Sequence, residues 1–203
     1  DLEAVFGQVS KKMTKYISEK LNINPKKAKV LQTNYFHKYN TSLNGLMIHH
    51  NIVPEEFLKY VHEIDLSFLQ KDLVLREELV KLNMKKFVFT NGSKEHVDNI
   101  TTHLGIKDLF DDVFDIVDAE YNPKPAAKAF DLMIKKFKID PKETIYIEDI
   151  AKNLSIGKKR GAITVWLINN EYWGKKESEK EFIDYKIENL PLFLKKIRLF
   201  KNT

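Results

Sequence analysis

The feature that most constrains this chain is a change of texture at about residue 85. From there, short apolar runs alternate with stretches of helical periodicity. Phe87-Val88-Phe89 ends at Thr90-Asn91-Gly92, a strand closing on a turn. Apolar residues then recur at helical spacing (Val97, Ile100, Leu104), and a second apolar run covers residues 113–117. The pattern predicts a helix over residues 125–137, a third strand over 144–147 and a helix over 151–160. A fourth strand over 163–168, a short one at 185–187 and a last helix from about Pro191 complete it. Strand alternating with helix predicts parallel βαβ units, hence an α/β fold with a doubly wound parallel sheet covered on both faces.

The preceding part has no strand signal. Phe6, Val9, Met13, Ile17 and Leu21 trace one apolar face of a helix. Asn24-Pro25 is a cap followed by a first-turn proline, and opens a helix over residues 26–40. The polar stretch Asn40-Thr41-Ser42 leads into residues 43–48, and Val53-Pro54-Glu55-Glu56 opens another helix. Two domains are therefore expected: a helical module over residues 1–82 and an α/β domain over 83–203.

Composition narrows the function classes. The chain has no cysteine, which excludes a disulfide framework, a thiol nucleophile and a cysteine metal site. No apolar run reaches the length of a membrane span and no basic-then-apolar leader opens the sequence, so a cytoplasmic protein without a membrane partner is expected. Lys and Arg number 34 against 29 Asp and Glu, a net +5. Clustered, that excess would suggest nucleic acid. Spread out as it is, with only short runs such as Lys158-Lys159-Arg160, it describes a solvated surface that attracts small anionic substrates. The expected partner is a small phosphorylated metabolite rather than nucleic acid, and the expected state is a monomer or homodimer.

In doubly wound domains ligands bind beyond the carboxyl ends of the strands. Thr90 and Asn91 follow the first strand, Lys124 lies after the second in Asn122-Pro123-Lys124-Pro125, and the third ends in Glu148-Asp149, with Asn153 one helical turn on. Each has a plain structural reading: a turn and helix start, a surface lysine stiffened by two prolines, carboxylates complementing a helix N-terminus. Together at one sheet edge they make a set suited to a phosphate beside a divalent metal, since adjacent carboxylates are good oxygen ligands for Mg²⁺.

Those three stretches resemble motifs II, III and IV of the haloacid dehalogenase (HAD) superfamily. Tyr35 to Tyr39, Thr41, Leu43, Gly45, Leu46 and His49-His50 resemble the cap of its pyrimidine 5′-nucleotidase-like branch. The resemblance implies a HAD-like Rossmannoid core with a helical cap inserted before the second core strand. It implies that Thr90 and Asn91 hold phosphate oxygens, that Lys124 balances charge on the phosphoryl group, and that Asp149, with Glu148, holds Mg²⁺. Tyr35, Phe36 and Tyr39 lie at helical spacings, where they either stack on a substrate base or pack the cap, and His49 and His50 either reach substrate polar groups or are an incidental pair. The family's reaction further needs an Asp-x-Asp-x-Thr strand end supplying nucleophile and general acid. No such motif is found here. Asp1-Leu2-Glu3-Ala4-Val5 has no apolar strand before it and runs into the first helical face. The expectation is therefore a fragment of a longer enzyme with the nucleophile upstream, inactive alone. A nucleoside monophosphate is the expected substrate. The alternatives are a phosphosugar phosphatase or mutase and, in another class, a catalytically dead phosphate-binding protein.

Overall fold

The structure, a computed structural model, describes residues 2–169 and 171–200. Along the chain run α1 (Leu2–Leu21), α2 (Pro25–Tyr39), α3 (Ser42–His50), α4 (Pro54–His62), α5 (Leu73–Lys81), β1 (Phe87–Phe89) and α6 (Lys94–Leu104). They continue with β2 (Asp112–Phe114), α7 (Ala127–Phe137), β3 (Ile145–Glu148), α8 (Leu154–Lys159), β4 (Ile163–Leu167), α9 (Tyr172–Lys175), β5 (Tyr185–Ile187) and α10 (Leu190–Phe200). These elements fall into two compact units, one of residues 1–71 and 90–107, the other of residues 72–89 and 108–203. Among the described residues, no helix is long and apolar enough to cross a membrane.

The first unit is helical. Asn24 caps α2 by accepting from the Lys27 N–H, with Pro25 in the first turn, as the sequence predicts. The polar Asn40-Thr41-Ser42 stretch joins two caps: Asn40 closes α2 in the left-handed conformation (φ 66°) and Thr41 opens α3 by accepting from the Asn44 N–H. The buried face of α1 is set by Val5, Val9, Tyr16 and Ile17. Phe6, expected on that face, is instead exposed. Between α1 and α2 lies a polar seam. Thr14 Oγ1 donates to Gln32 Oε1 (2.7 Å) and Gln32 Nε2 to Ser10 Oγ (3.1 Å), which satisfies the buried amide. Leu2 to Val5 are helical, so the text that most resembles a nucleophile motif does not end a strand; Asp1 itself lies outside the described residues.

The second unit is α/β, and its strand pairs are all parallel. The parallel sheet comes in two parts, β1-β2 and β3-β4-β5, because among the described residues no strand bridges β1 to β3. The second apolar run also stops short of its expected end at Val117. The Asp115 carboxylate accepts from the Val117 and Asp118 N–H groups (3.0 and 2.9 Å), turning the chain directly after Phe114. The core gathers Phe114, Phe130, Leu154 and Trp166 around Tyr146. Gly157 lets α8 come close to β3: a Cβ at that position would lie 2.5 Å from Tyr146 Cδ1.

Candidate active site

The second unit gathers three of the charged residues singled out from the sequence. Two left-handed residues, Glu120 (φ 50°) and Tyr121 (φ 57°), turn the chain after β2. Asn122 Nδ2 fastens that turn by donating to the carbonyls of Ala119 and Glu120, each at 2.9 Å. Pro123, Lys124 and Pro125 follow, with a cis Lys124–Pro125 bond. Lys124 enters the interior from this loop, only 7% exposed. Its ammonium donates to the Phe89 carbonyl (2.6 Å), at the last residue of β1, and to Glu148 Oε1. It also stands 4.9 Å from the centre of the Phe89 ring.

Glu148 ends β3 with its carboxylate occupied. Besides Lys124, Oε1 accepts from the Tyr146 hydroxyl at 3.0 Å, and Oε2 meets Asn153 Nδ2 at 3.4 Å. Tyr146 and Glu148 are two apart on one strand and so share a face. Burial, and then the Glu148 charge, push the Tyr146 hydroxyl well above its ordinary range, so it stays a donor. Glu148 thus neutralises a buried cation, which a desolvated ammonium requires.

Asp149 differs. Burial raises its carboxyl above the usual carboxylate range and Glu148 adds to this, while Lys124 and Asn169 act against it. The Asn169 amide approaches its Oδ2 at 3.4 Å and Trp166 Nε1 donates to its backbone carbonyl at 3.0 Å. Asn169 is itself held, with Oδ1 accepting from the Glu171 N–H (2.9 Å). It lies against Gly174, where an added Cβ would stand 2.8 Å from Asn169 Cγ. Asp149 is therefore the carboxylate on which a cation would act most, relieving desolvation and like charge together. Among the described residues there is no group of three or more His, Asp or Glu able to hold a metal ion. Mg²⁺ keeps several waters and takes one or two carboxylates, and Asp149 fits as one of them.

The remaining predicted residues lie in the first unit. In the turn after β1, Thr90 Oγ1 accepts from the Gly92 N–H (2.9 Å), and Ser93 then caps α6 by accepting from the His96 N–H. On α2 and α3, Tyr35 hydrogen-bonds His50 (2.9 Å) and Tyr39 hydrogen-bonds His49, with Tyr35 stacked on His49 at 5.5 Å between centroids. Tyr35 also packs on Gly45, where a Cβ would fall 2.4 Å from its ring. The structure thus brings Lys124, Glu148 and Asp149 together, and brings Tyr35, Tyr39 and His49 together. Sequence reasoning missed Tyr146 and Asn169. For Tyr146 the signal was a hydroxyl two residues before Glu148 on a strand. For Asn169 it was a polar side chain just past the carboxyl end of β4.

With this geometry in place, the sequence matches the haloacid dehalogenase-like hydrolase family over residues 1–167. The chain belongs to that family. It is 30% identical over 136 residues to phosphate metabolism protein 8 of Saccharomyces cerevisiae, covering 59% of this chain and 42% of that protein. It is 28% identical over 137 residues to a glyceraldehyde 3-phosphate phosphatase of Pyrococcus furiosus, covering 66% of this chain and 57% of that protein. The chain thus spans about half the length of these relatives. The fold is similar to the crystal structure of a HAD phosphatase from Thermococcus onnurineus, with TM-score 0.60 at 20% identity, over 98% of this chain and 91% of that one.

Proposed function

We propose that the protein is a Mg²⁺-dependent phosphomonoester hydrolase for a small metabolite, acting through an aspartyl-phosphate. The observation that carries this reading is the buried Lys124 ammonium, anchored on the Phe89 carbonyl and Glu148 beside Asp149. A lysine kept that dry and that fixed suits neutralising a dianionic phosphoryl group, because phosphoryl transfer rests mainly on positioning and charge neutralisation. Thr90 and Asn91 offer a hydroxyl and backbone N–H groups to phosphoryl oxygens, and Lys124 donates to another. Glu148 holds the Lys124 ammonium in place. Asp149, with Glu148 in support, holds the cation. Mg²⁺ would supply Lewis-acid stabilisation of charge on the transferring group.

The nucleophile in this reading is an aspartate at the end of a further strand. What supports such a strand is that β1 and β3 each pair on one side only among the described residues. In the reaction, a carboxylate oxygen bonds to phosphorus while the phosphorus–alkoxide bond breaks, and the leaving oxygen takes a proton from a second aspartate. Water then attacks the acyl-phosphate, releasing inorganic phosphate and the carboxylate. Tyr35, Tyr39 and His49 contact the substrate from the cap, with a pyrimidine nucleoside 5′-monophosphate as first choice. The Pyrococcus relative, named for a triose phosphate, favours a small phosphosugar as second choice. The reading includes a cytoplasmic protein that works as a monomer or homodimer.

The test, made on the full-length protein that carries this further strand, is phosphate release from nucleoside 5′-monophosphates and triose and hexose phosphates, with Mg²⁺ or EDTA. Mg²⁺-dependent turnover of nucleotides supports the first choice and of phosphosugars the second. Phosphate binding without any turnover points to a non-catalytic binding protein, and neither binding nor turnover sinks the reading.

A further inference from the structure

We propose that His62 is a positioning residue for the Thr90–Gly92 turn, tying that turn to the cap helix α4. The inference rests on the reading of this turn as a phosphate holder, and all its residues lie in the first unit. His62 is the last residue of α4, and its Nδ1 hydrogen-bonds Ser93 Oγ at 2.9 Å across 31 residues of sequence. The same hydroxyl caps α6, so one oxygen joins the end of one helix to the start of another. His62 also stacks on His96, with ring centroids 4.1 Å apart and planes 13° from parallel.

Gly92 sits against this pair. A Cβ there would lie 3.6 Å from both His62 Cε1 and His96 Cδ2, and 3.4 Å from Thr90 Oγ1. The two imidazoles thus form a flat support for the glycine whose N–H fixes the Thr90 hydroxyl. Desolvation holds both rings neutral: burial, reinforced by the neighbouring His96, lowers His62 to about 3, and burial lowers His96 to about 4. His96 Nδ1 is buried with no hydrogen-bond partner among the described residues. A neutral stacked pair tolerates such an atom; a charged one would not. Packing alone could be supplied by phenylalanine. The Ser93 bond needs a polar atom at the Nδ1 position, and asparagine can offer one.

The experiment compares, in the full-length protein that carries the nucleophile strand, wild type, His62→Phe, His62→Asn and, as a packing control, Leu58→Ala on the same helix. Two quantities are read with Mg²⁺ present: amide hydrogen exchange at Gly92 and the inhibition constant of inorganic phosphate against p-nitrophenyl phosphate. The expected result is that His62→Phe speeds Gly92 exchange and weakens phosphate by about tenfold each, the scale of one lost buried hydrogen bond. His62→Asn recovers most of both, and Leu58→Ala lowers the melting temperature while leaving both near wild type. Unchanged Gly92 exchange in His62→Phe overturns the proposal. So does faster exchange with unaltered phosphate inhibition, or an equal effect of Leu58→Ala. Should wild type neither bind phosphate nor hydrolyse the ester, the phosphatase reading falls, and Gly92 exchange alone then decides whether His62 holds the turn.

Discussion

Glu148, at the end of β3, and Lys124, in the loop after β2, have their side chains almost wholly withdrawn from water, at 6% and 8% exposure. Tyr35, Tyr39, His49 and His50 instead pair ring to ring on two helices, each at least partly open to solvent. In the first region Lys124 and Glu148 neutralise each other, and the low dielectric magnifies that interaction. In the second, the rings satisfy one another through hydrogen bonds and stacking at modest energy. The difference separates two kinds of constraint. In the proposed reading, the fixed charges in a dry place serve chemistry on a phosphoryl group, and the replaceable rings serve recognition of a variable group.

The largest expected effect falls in the dry region. Lys124→Ala leaves Glu148 buried without its cation, a loss of about 3–5 kcal/mol, to be read as a drop in denaturation midpoint. Restoration by Glu148→Gln in the same chain would confirm that the pair, rather than lysine packing, is responsible. An effect below about 1 kcal/mol would erase the contrast between the regions.

Acid comes next and acts on the first unit. His62 and His96 have folded values of about 3 and about 4, below the ordinary value near 6.5. Below that ordinary value the unfolded chain takes up protons that the folded chain refuses, so stability falls as pH falls. The cost is up to about 1.4 kcal/mol per histidine per pH unit until the folded value is reached, and it vanishes above pH of about 7. Urea midpoints between pH 7 and 4.5 should show this slope, and His62→Phe should flatten it. A slope that His62→Phe does not alter would remove the imidazoles as its cause.

A smaller effect tests the packing behind Glu148. Gly157→Ala forces a methyl group against Tyr146, costing about 1–3 kcal/mol and loosening the hydroxyl that steadies Glu148. Tyr146→Phe, which keeps the ring but removes that hydroxyl, should weaken phosphate binding without the packing cost. Smallest of all, Tyr39→Phe removes one hydrogen bond from the partly exposed cluster and should cost about 1 kcal/mol or less. Its effect should appear in substrate preference rather than in stability.

Legibility in the sequence followed the same division. Strands such as Ile145–Glu148 and Ile163–Leu167 were visible because buried parallel strands are continuous apolar runs. Glu148 and Asp149 were visible because charged residues are conspicuous at the ends of such runs, and Lys124 because two prolines flank it in the loop after the second run. The early stop of β2 was not, since it depends on the Asp115 side chain turning back on its own backbone. The His62–Ser93 bond spans 31 residues with no periodicity to announce it. Asn169 carries no motif; only its place after β4 and its contact with Asp149 mark it.

The most direct test of the central claim is calorimetric binding of inorganic phosphate with and without Mg²⁺, in wild type and in Lys124→Gln shown to be folded by circular dichroism. The account predicts that phosphate and Mg²⁺ each tighten the other's binding in wild type. It also predicts that Lys124→Gln weakens phosphate at least about tenfold, the scale of one lost charge-assisted hydrogen bond. Phosphate binding that is indifferent to both Mg²⁺ and Lys124 would contradict it.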